Sequence, residues 1–152
     1  MSLTDYVNPL QGSDSRMEFS TGNVYPAIGT PRALTYWTVQ THYGGFLFDR
    51  RSIKVSGIRA THSPSPWMDD YGNFEIMPVV GPVSPRPSAR ASSWRIEDAT
   101  FQPHLCKVNL LRYRTEVAFS ALRSSAILQV TYPSDAGRHA ALVIQTGKAR
   151  EQ

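Results

Sequence analysis

Residues 57–81 read GIRATHSPSPWMDDYGNFEIMPVVG, and this stretch decides what kind of fold the chain adopts. Its start, from Gly57 to His62, and its end, from Phe74 to Val80, have the extended pattern of β-strands. Between them lies THSPSPWMDDYG. Pro64 and Pro66 fix their own φ and push Ser63 and Ser65 out of the helical region, so Trp67 rides on a connector that cannot become helix. Asp69, Asp70 and Gly72 then supply turn chemistry before the next apolar run. Strand, stiff loop, strand is the unit of a sheet protein. A loop carrying His62, Trp67, Asp69, Asp70 and Tyr71 is also built like a recognition surface, because rigid scaffolds commonly present function on loops. The plainer reading is that Trp67 folds back over the core and His62 closes a strand end.

The same punctuation runs through the rest of the sequence, where 11 Pro and 10 Gly suit many short strands better than long helices. At 152 residues a single domain is expected, large enough to bury roughly 68–70% of its unfolded surface. Hydrophobic residues at 41% and charged residues at 18% mark a globular chain and exclude disorder. The net charge of +4 is scattered, with Arg50-Arg51 and Arg112/Arg114 as the close basic pairs, so no nucleic-acid partner is expected. No apolar run reaches the roughly 18 residues of a membrane helix, so no membrane partner is expected either. The opening MSLTDYVNPLQGSDS shows no signal peptide, and localisation is not readable from it directly. Cys106 is the one cysteine, which excludes an intrachain disulfide. It shares an extended-strand face with His104, but a small buried filler is its simpler role. The histidines at 42, 62, 104 and 139 show no metal-ligand spacing.

Taken in order, residues 2–33 read as loop and turn, broken at Asn8-Pro9, Gly12-Ser13 and Gly22-Asn23. Residues 34–40, LTYWTVQ, form a strand with aromatics on both faces. Gly44-Gly45 turns into a short strand at 46–48, and Asp49, Arg50 and Arg51 form a solvated turn. GPVSPRPSARASS, at 81–93, is expected to be an extended, exposed linker. Strands follow at 107–111, 115–121, 126–132 and 140–146, with a hairpin-type turn at 133–137. Glu75 alternates with Phe74 and Ile76 and so reads as an outward strand residue. No window sustains apolar i, i+3, i+4, i+7 spacing. The expected fold is all-β, a two-sheet antiparallel β-sandwich without substantial helix.

The order of motifs is specific. DYVNPLQGS at 5–13, GNVYPAIGTP at 22–31, YWTVQT at 36–41 and the segment 58–81 together resemble the N-terminal domain of glycoside hydrolase family 92. Those enzymes are calcium-dependent, exo-acting α-mannosidases. The resemblance implies a supersandwich-like N-terminal domain packed on a larger helical (α/α) toroid, with an inverting active site between them. It places the catalytic acid, the catalytic base and the calcium ligands in the helical domain, which leaves this chain with no catalytic residue and no metal ligand. It also implies α-mannosides of N-glycan or mannan type as substrates, the C-terminal helical domain as partner, and a secreted or periplasmic location. On the same grounds Trp37 corresponds to a tryptophan presented to the sugar next to the cleaved one, where an amphipathic ring suits apolar C–H faces and polar edges. The next family tryptophan falls at Phe46, which keeps a stacking face but has no indole N–H. Asn23, His62 and Trp67 map onto the sandwich edge facing the helical domain. The sequence departs from the family at Pro31-Arg32-Ala33-Leu34, where an apolar or aromatic residue is usual in place of Arg32.

Catalysis within this chain would need two carboxyl groups roughly 6.5–9.5 Å apart. Asp69, Asp70 and Glu75 are the clustered candidates, and turn and strand roles account for all three. The alternative functional reading is a stand-alone carbohydrate-binding or structural β-sandwich module with Trp37, Phe46 and Trp67 as its aromatic platform.

Overall fold

Between Thr115 and Ala121 every second residue, Thr115, Val117, Phe119 and Ala121, is buried, while Glu116, Ala118 and Ser120 are not. That is the signature of a strand with one face on a core and one toward water. The computed structural model describes residues 2–14, 18, 24–41, 48–61 and 74–146. In chain order its strands are β1 (Tyr36–Gln40), β2 (Lys54–Val55), β3 (Gly57–Thr61), β4 (Phe74–Val80), β5 (Ser92–Ser93), β6 (Thr100–Gln102), β7 (Leu105–Leu110), β8 (Thr115–Ala121), β9 (Ala126–Thr131) and β10 (Ala140–Thr146).

The strands form two four-stranded antiparallel sheets, β1-β3-β4-β10 and β6-β7-β8-β9, with β2 and β5 making a small third pair. One contiguous core contains Trp37, Val39, Ile58, Met77 and Val79 of the first sheet and Cys106, Val108, Leu110, Val117 and Phe119 of the second. The fold is the expected all-β sandwich. Helix among the described residues amounts to the four-residue α1 (Pro87–Arg90) and single 3-10 turns. An edge-to-face cluster of Phe48, Trp94 and Phe101, with centroids 6.2–6.4 Å apart, fills one end of the core. The Trp94 indole donates to the Ser52 carbonyl at 2.8 Å, so that buried ring keeps its polar edge satisfied.

Three local expectations are corrected, and a fourth in part. The segment 81–93 is not an exposed linker: it folds into α1 and β5, and Pro87, Arg90, Ala91 and Ser92 are buried. Arg112 pins it by donating to the Ala89 and Ala91 carbonyls, at 2.6 and 3.3 Å. The turn at 133–137 is not a hairpin, because it carries the chain from β9 in one sheet to β10 in the other. Glu75 is not outward; it is 1% exposed. Of the expected strand at 46–48, Phe48 is a buried residue outside any strand and the other two lie outside the described residues.

Candidate functional site

The first sheet presents two contrasting faces, because opposed residues in antiparallel strands share a face. One carries a polar row across all four strands: Thr38 opposite Arg59, Arg59 opposite Glu75, Glu75 opposite Gln145. The other carries Trp37 opposite Ala60 and Val39 opposite Ile58, with Ile58 opposite Ile76.

On the polar face, Arg59 donates to Glu75 Oε2 at 3.4 Å and Arg90 to Glu75 Oε1 at 3.0 Å. Arg90 also donates to Gln145 Oε1 and, at 2.8 Å, to the Pro85 carbonyl, while its own carbonyl accepts from Tyr113 Oη at 2.7 Å. All three charged side chains are buried. Burial pushes the Glu75 carboxyl above its ordinary range, and the two guanidinium groups pull it part of the way back. Both of its oxygens are engaged and only 1% of the residue is exposed. It is a bolt between α1 and the sheet. Space for it comes from Gly57, where a Cβ would lie 2.5 Å from Glu75 Cγ.

On the apolar face Trp37 is 5% exposed and meets Phe74 edge to face, with ring centroids 5.5 Å apart. Small Ala60, the strand partner of Trp37, leaves room for that contact. The Trp37 indole N–H is buried and has no hydrogen-bond partner among the described residues. At the same end of the sheet Tyr25 Oη lies 3.4 Å from Thr61 Oγ1.

The topology sorts the sequence-derived site residues. Thr61 and Phe74 bracket the segment that holds His62 and Trp67, and Tyr25 follows Asn23 by two positions. The described stems of both segments thus meet beside Trp37. The segment holding Phe46 leaves from the opposite end of β1, after Gln40. Its stem is closed by Thr41, whose hydroxyl accepts from Asp49 N at 2.7 Å and faces the Asp49 carbonyl at 3.1 Å. Asn23, Phe46, His62 and Trp67 themselves lie outside the described residues, as do Asp69 and Asp70. Sequence reasoning singled out Glu75 but turned it outward, and it missed Arg59 and Arg90. Gly57 facing the glutamate is the one local sign of them.

Other candidate chemistry is closed off. Cys106 is buried and its thiol is pushed well above the ordinary range, so it carries no thiolate, while His104 sits exposed in the turn before β7. Among the described residues no three His, Cys, Asp or Glu side chains converge as a metal site. Among them, too, no helix is long and apolar enough to cross a membrane. A shallow depression of about 420 Å³ lies across β7, β8 and the end of β9, lined by Asn109, Leu111, Arg114, Glu116 and Tyr132, away from Trp37.

The sequence matches the family described as the glycosyl hydrolase family 92 N-terminal domain over residues 6–152. No curated protein matches it. Among solved structures it is similar to the family GH92 inverting mannosidase BT2199 from Bacteroides thetaiotaomicron, with a TM-score of 0.78 and 34% identity over 87% of this chain and 18% of that one. The GH92 α-mannosidase BT3965 from the same organism gives a TM-score of 0.74 and 24% identity over 88% of this chain and 19% of that one. The GH92 family glycosyl hydrolase ccman5 gives 0.77 and 18% identity over 94% and 20%. At these lower identities the likeness is one of fold. In each case this chain spans about a fifth of the relative's length. The chain belongs to glycosyl hydrolase family 92, as its N-terminal domain.

Proposed function

We propose that this chain is the non-catalytic N-terminal domain of an exo-acting, inverting α-mannosidase and shapes the sugar site at an interface with a helical toroid domain. One observation carries the reading: the chain is 34% identical to an inverting mannosidase, with the same fold, across 18% of that enzyme's length. The buried geometry of Glu75 supports the non-catalytic role, since the best-placed carboxylate among the described residues is committed to two arginines.

The sugar-facing region is the sheet end where the stems of the segments holding Asn23, His62 and Trp67 meet Trp37. Trp37 supplies a fixed ring and an indole donor that no other described residue takes up, and the family resemblance assigns a second ring to Phe46. Calcium, bound by the helical domain, would provide the charge that holds sugar hydroxyls in place. No described residue of this chain is assigned to it.

The test is kinetic, in the longer enzyme. Trp37→Ala is a poor probe because truncating a core tryptophan costs about 3–5 kcal/mol of stability. Trp37→Phe keeps a ring and removes the N–H, so the fold persists and kcat/KM on α-mannosides falls about threefold to tenfold. An unchanged kcat/KM would remove the indole from the site, and a longer enzyme inert toward α-mannosides would overturn the function.

A further inference from the structure

Two four-stranded sheets have four edges, and the described residues treat them differently. An edge strand offers unpaired N–H and C=O groups, and proteins usually shorten it, cover it or place charge or proline on it. β6 is only three residues long. β1 is buried from Trp37 onward, and its outer side is covered where Ile28 and Trp37 exchange backbone hydrogen bonds at 2.8 and 2.9 Å. β9 and β10 show neither device. β9 reads AILQVT and β10 reads AALVIQT, without a charge or a proline in either.

These two bare edges lie on the same side of the sandwich. They are consecutive strands in opposite sheets, and Tyr132, just after β9, donates its hydroxyl to the Ala141 carbonyl of β10 at 2.7 Å. The core is also open there. No residue of β9 or β10 is fully buried, whereas their inner neighbours β8 and β4 each bury four. Leu128, Val130, Ala141 and Val143 touch the core yet are only partly buried. On the opposite faces Ile127, Leu142 and Ile144 are 68%, 47% and 61% exposed. Half-covered core residues beside unpaired backbone on two parallel tracks fit a partner made of extended chain.

We propose that the β9–β10 side is a strand-docking seam, closed by two further extended segments of a longer polypeptide, one added to each sheet. The inference rests on the reading above that this domain works within a longer enzyme. The incoming segments would be apolar at alternate positions, matching Leu128 and Val130 on one track and Ala141 and Val143 on the other. Supply from the same polypeptide is favoured because relatives carry this fold in 18–20% of their length, and tethered strands dock without the cost of bimolecular association.

The experiment compares amide hydrogen exchange in the 152-residue chain with that in the natural gene product as the cell makes it, with light scattering on both. The expected result is rapid exchange at the outer amides of β9 and β10 in the 152-residue chain and exchange slowed on the order of 100-fold or more in the natural product. Equal, rapid exchange in both would overturn the seam. So would protection already present in the 152-residue chain accompanied by a dimer mass, which would make the occupant a second copy. A natural product that ends at residue 152 has no further segments to supply and would itself overturn the seam. Mannoside hydrolysis, measured on the same sample, reports on the proposed function separately: a protected seam without hydrolysis leaves the seam standing and removes the function.

Discussion

Glu75 ties its neighbourhood together because its two oxygens face two different arginines, one across the sheet and one on α1. Taking the carboxylate away leaves two guanidinium groups buried with no counter-charge. Breaking a buried pair in this way costs about 3–5 kcal/mol, so Glu75→Ala is expected to lose at least that much in denaturant unfolding. Arg90→Met should lose less, because Arg59 still faces Glu75 and the replacement keeps the packing. The carboxyl's raised pKa has a definite sign. The folded state holds that proton more tightly than the unfolded chain does, so ionising Glu75 costs stability above its folded pKa, and that cost fades as pH falls through that value. Asp135 behaves in the other sense. Hydrogen bonds from Arg114, at 2.7 and 2.8 Å, hold its carboxyl below the ordinary 3.8. Its contribution is present above that ordinary value and is lost as pH falls through the folded one. In Arg114→Ala the Asp135 carboxyl, followed by NMR, should titrate at a higher pH than in the parent; an unmoved titration would rule Arg114 out as the cause.

Strand β3 depends on a residue with no side chain. Gly57 stands where Glu75 crosses, and Gly57→Ala forces a methyl group to within 2.5 Å of Glu75 Cγ. Overpacking of this kind costs about 1–3 kcal/mol, which in a domain of this size lowers Tm by roughly 2–4 °C per kcal/mol. The loss should shrink in a Glu75→Ala background, where the clash is gone, and equal losses in both backgrounds would show that the contact is not the cause. The strands themselves were legible. β4, β8 and β10 fall on the residues that alternation marks out, because burial of one face imposes a period of two on the sequence. The region 81–93 was not legible, since Pro, Ser and Arg have the composition of a linker whether or not the chain packs. Arg90 finds Glu75 fifteen residues away and Gln145 fifty-five residues away, and no local pattern announces partners at such distances. Glu75 was misread for a related reason: alternation says which face a residue is on, and not that both faces of the sheet are covered. Of the site residues drawn from family resemblance, Trp37 stands beside the stems of the segments holding Asn23, His62 and Trp67, while the stem of the Phe46 segment is at the far end of the strand.

The sandwich as a whole is a scaffold with an incomplete rim. Its catalytic-looking carboxylate is locked, its thiol is inert, and its best aromatic candidate is mostly covered by its own neighbours. A free-standing sugar-binding module would instead present rings with open faces, because stacking on a sugar needs an accessible surface of the ring. Trp37 offers 5% of its surface, and Phe74 occupies one side of it. Recognition that depends on a second domain predicts little affinity in the first one alone, since half a site forfeits most of the contacts while still paying the entropy of association. Titration of the 152-residue chain with α-linked mannobiose, followed by NMR with and without calcium, is therefore expected to give no saturable shift at the Trp37 or Trp67 indole signals up to millimolar sugar. The same titration on the longer enzyme should move the Trp37 signal. Saturable shifts in the short chain would mean that it recognises sugar by itself, and the shared-site reading would give way to an autonomous binding module.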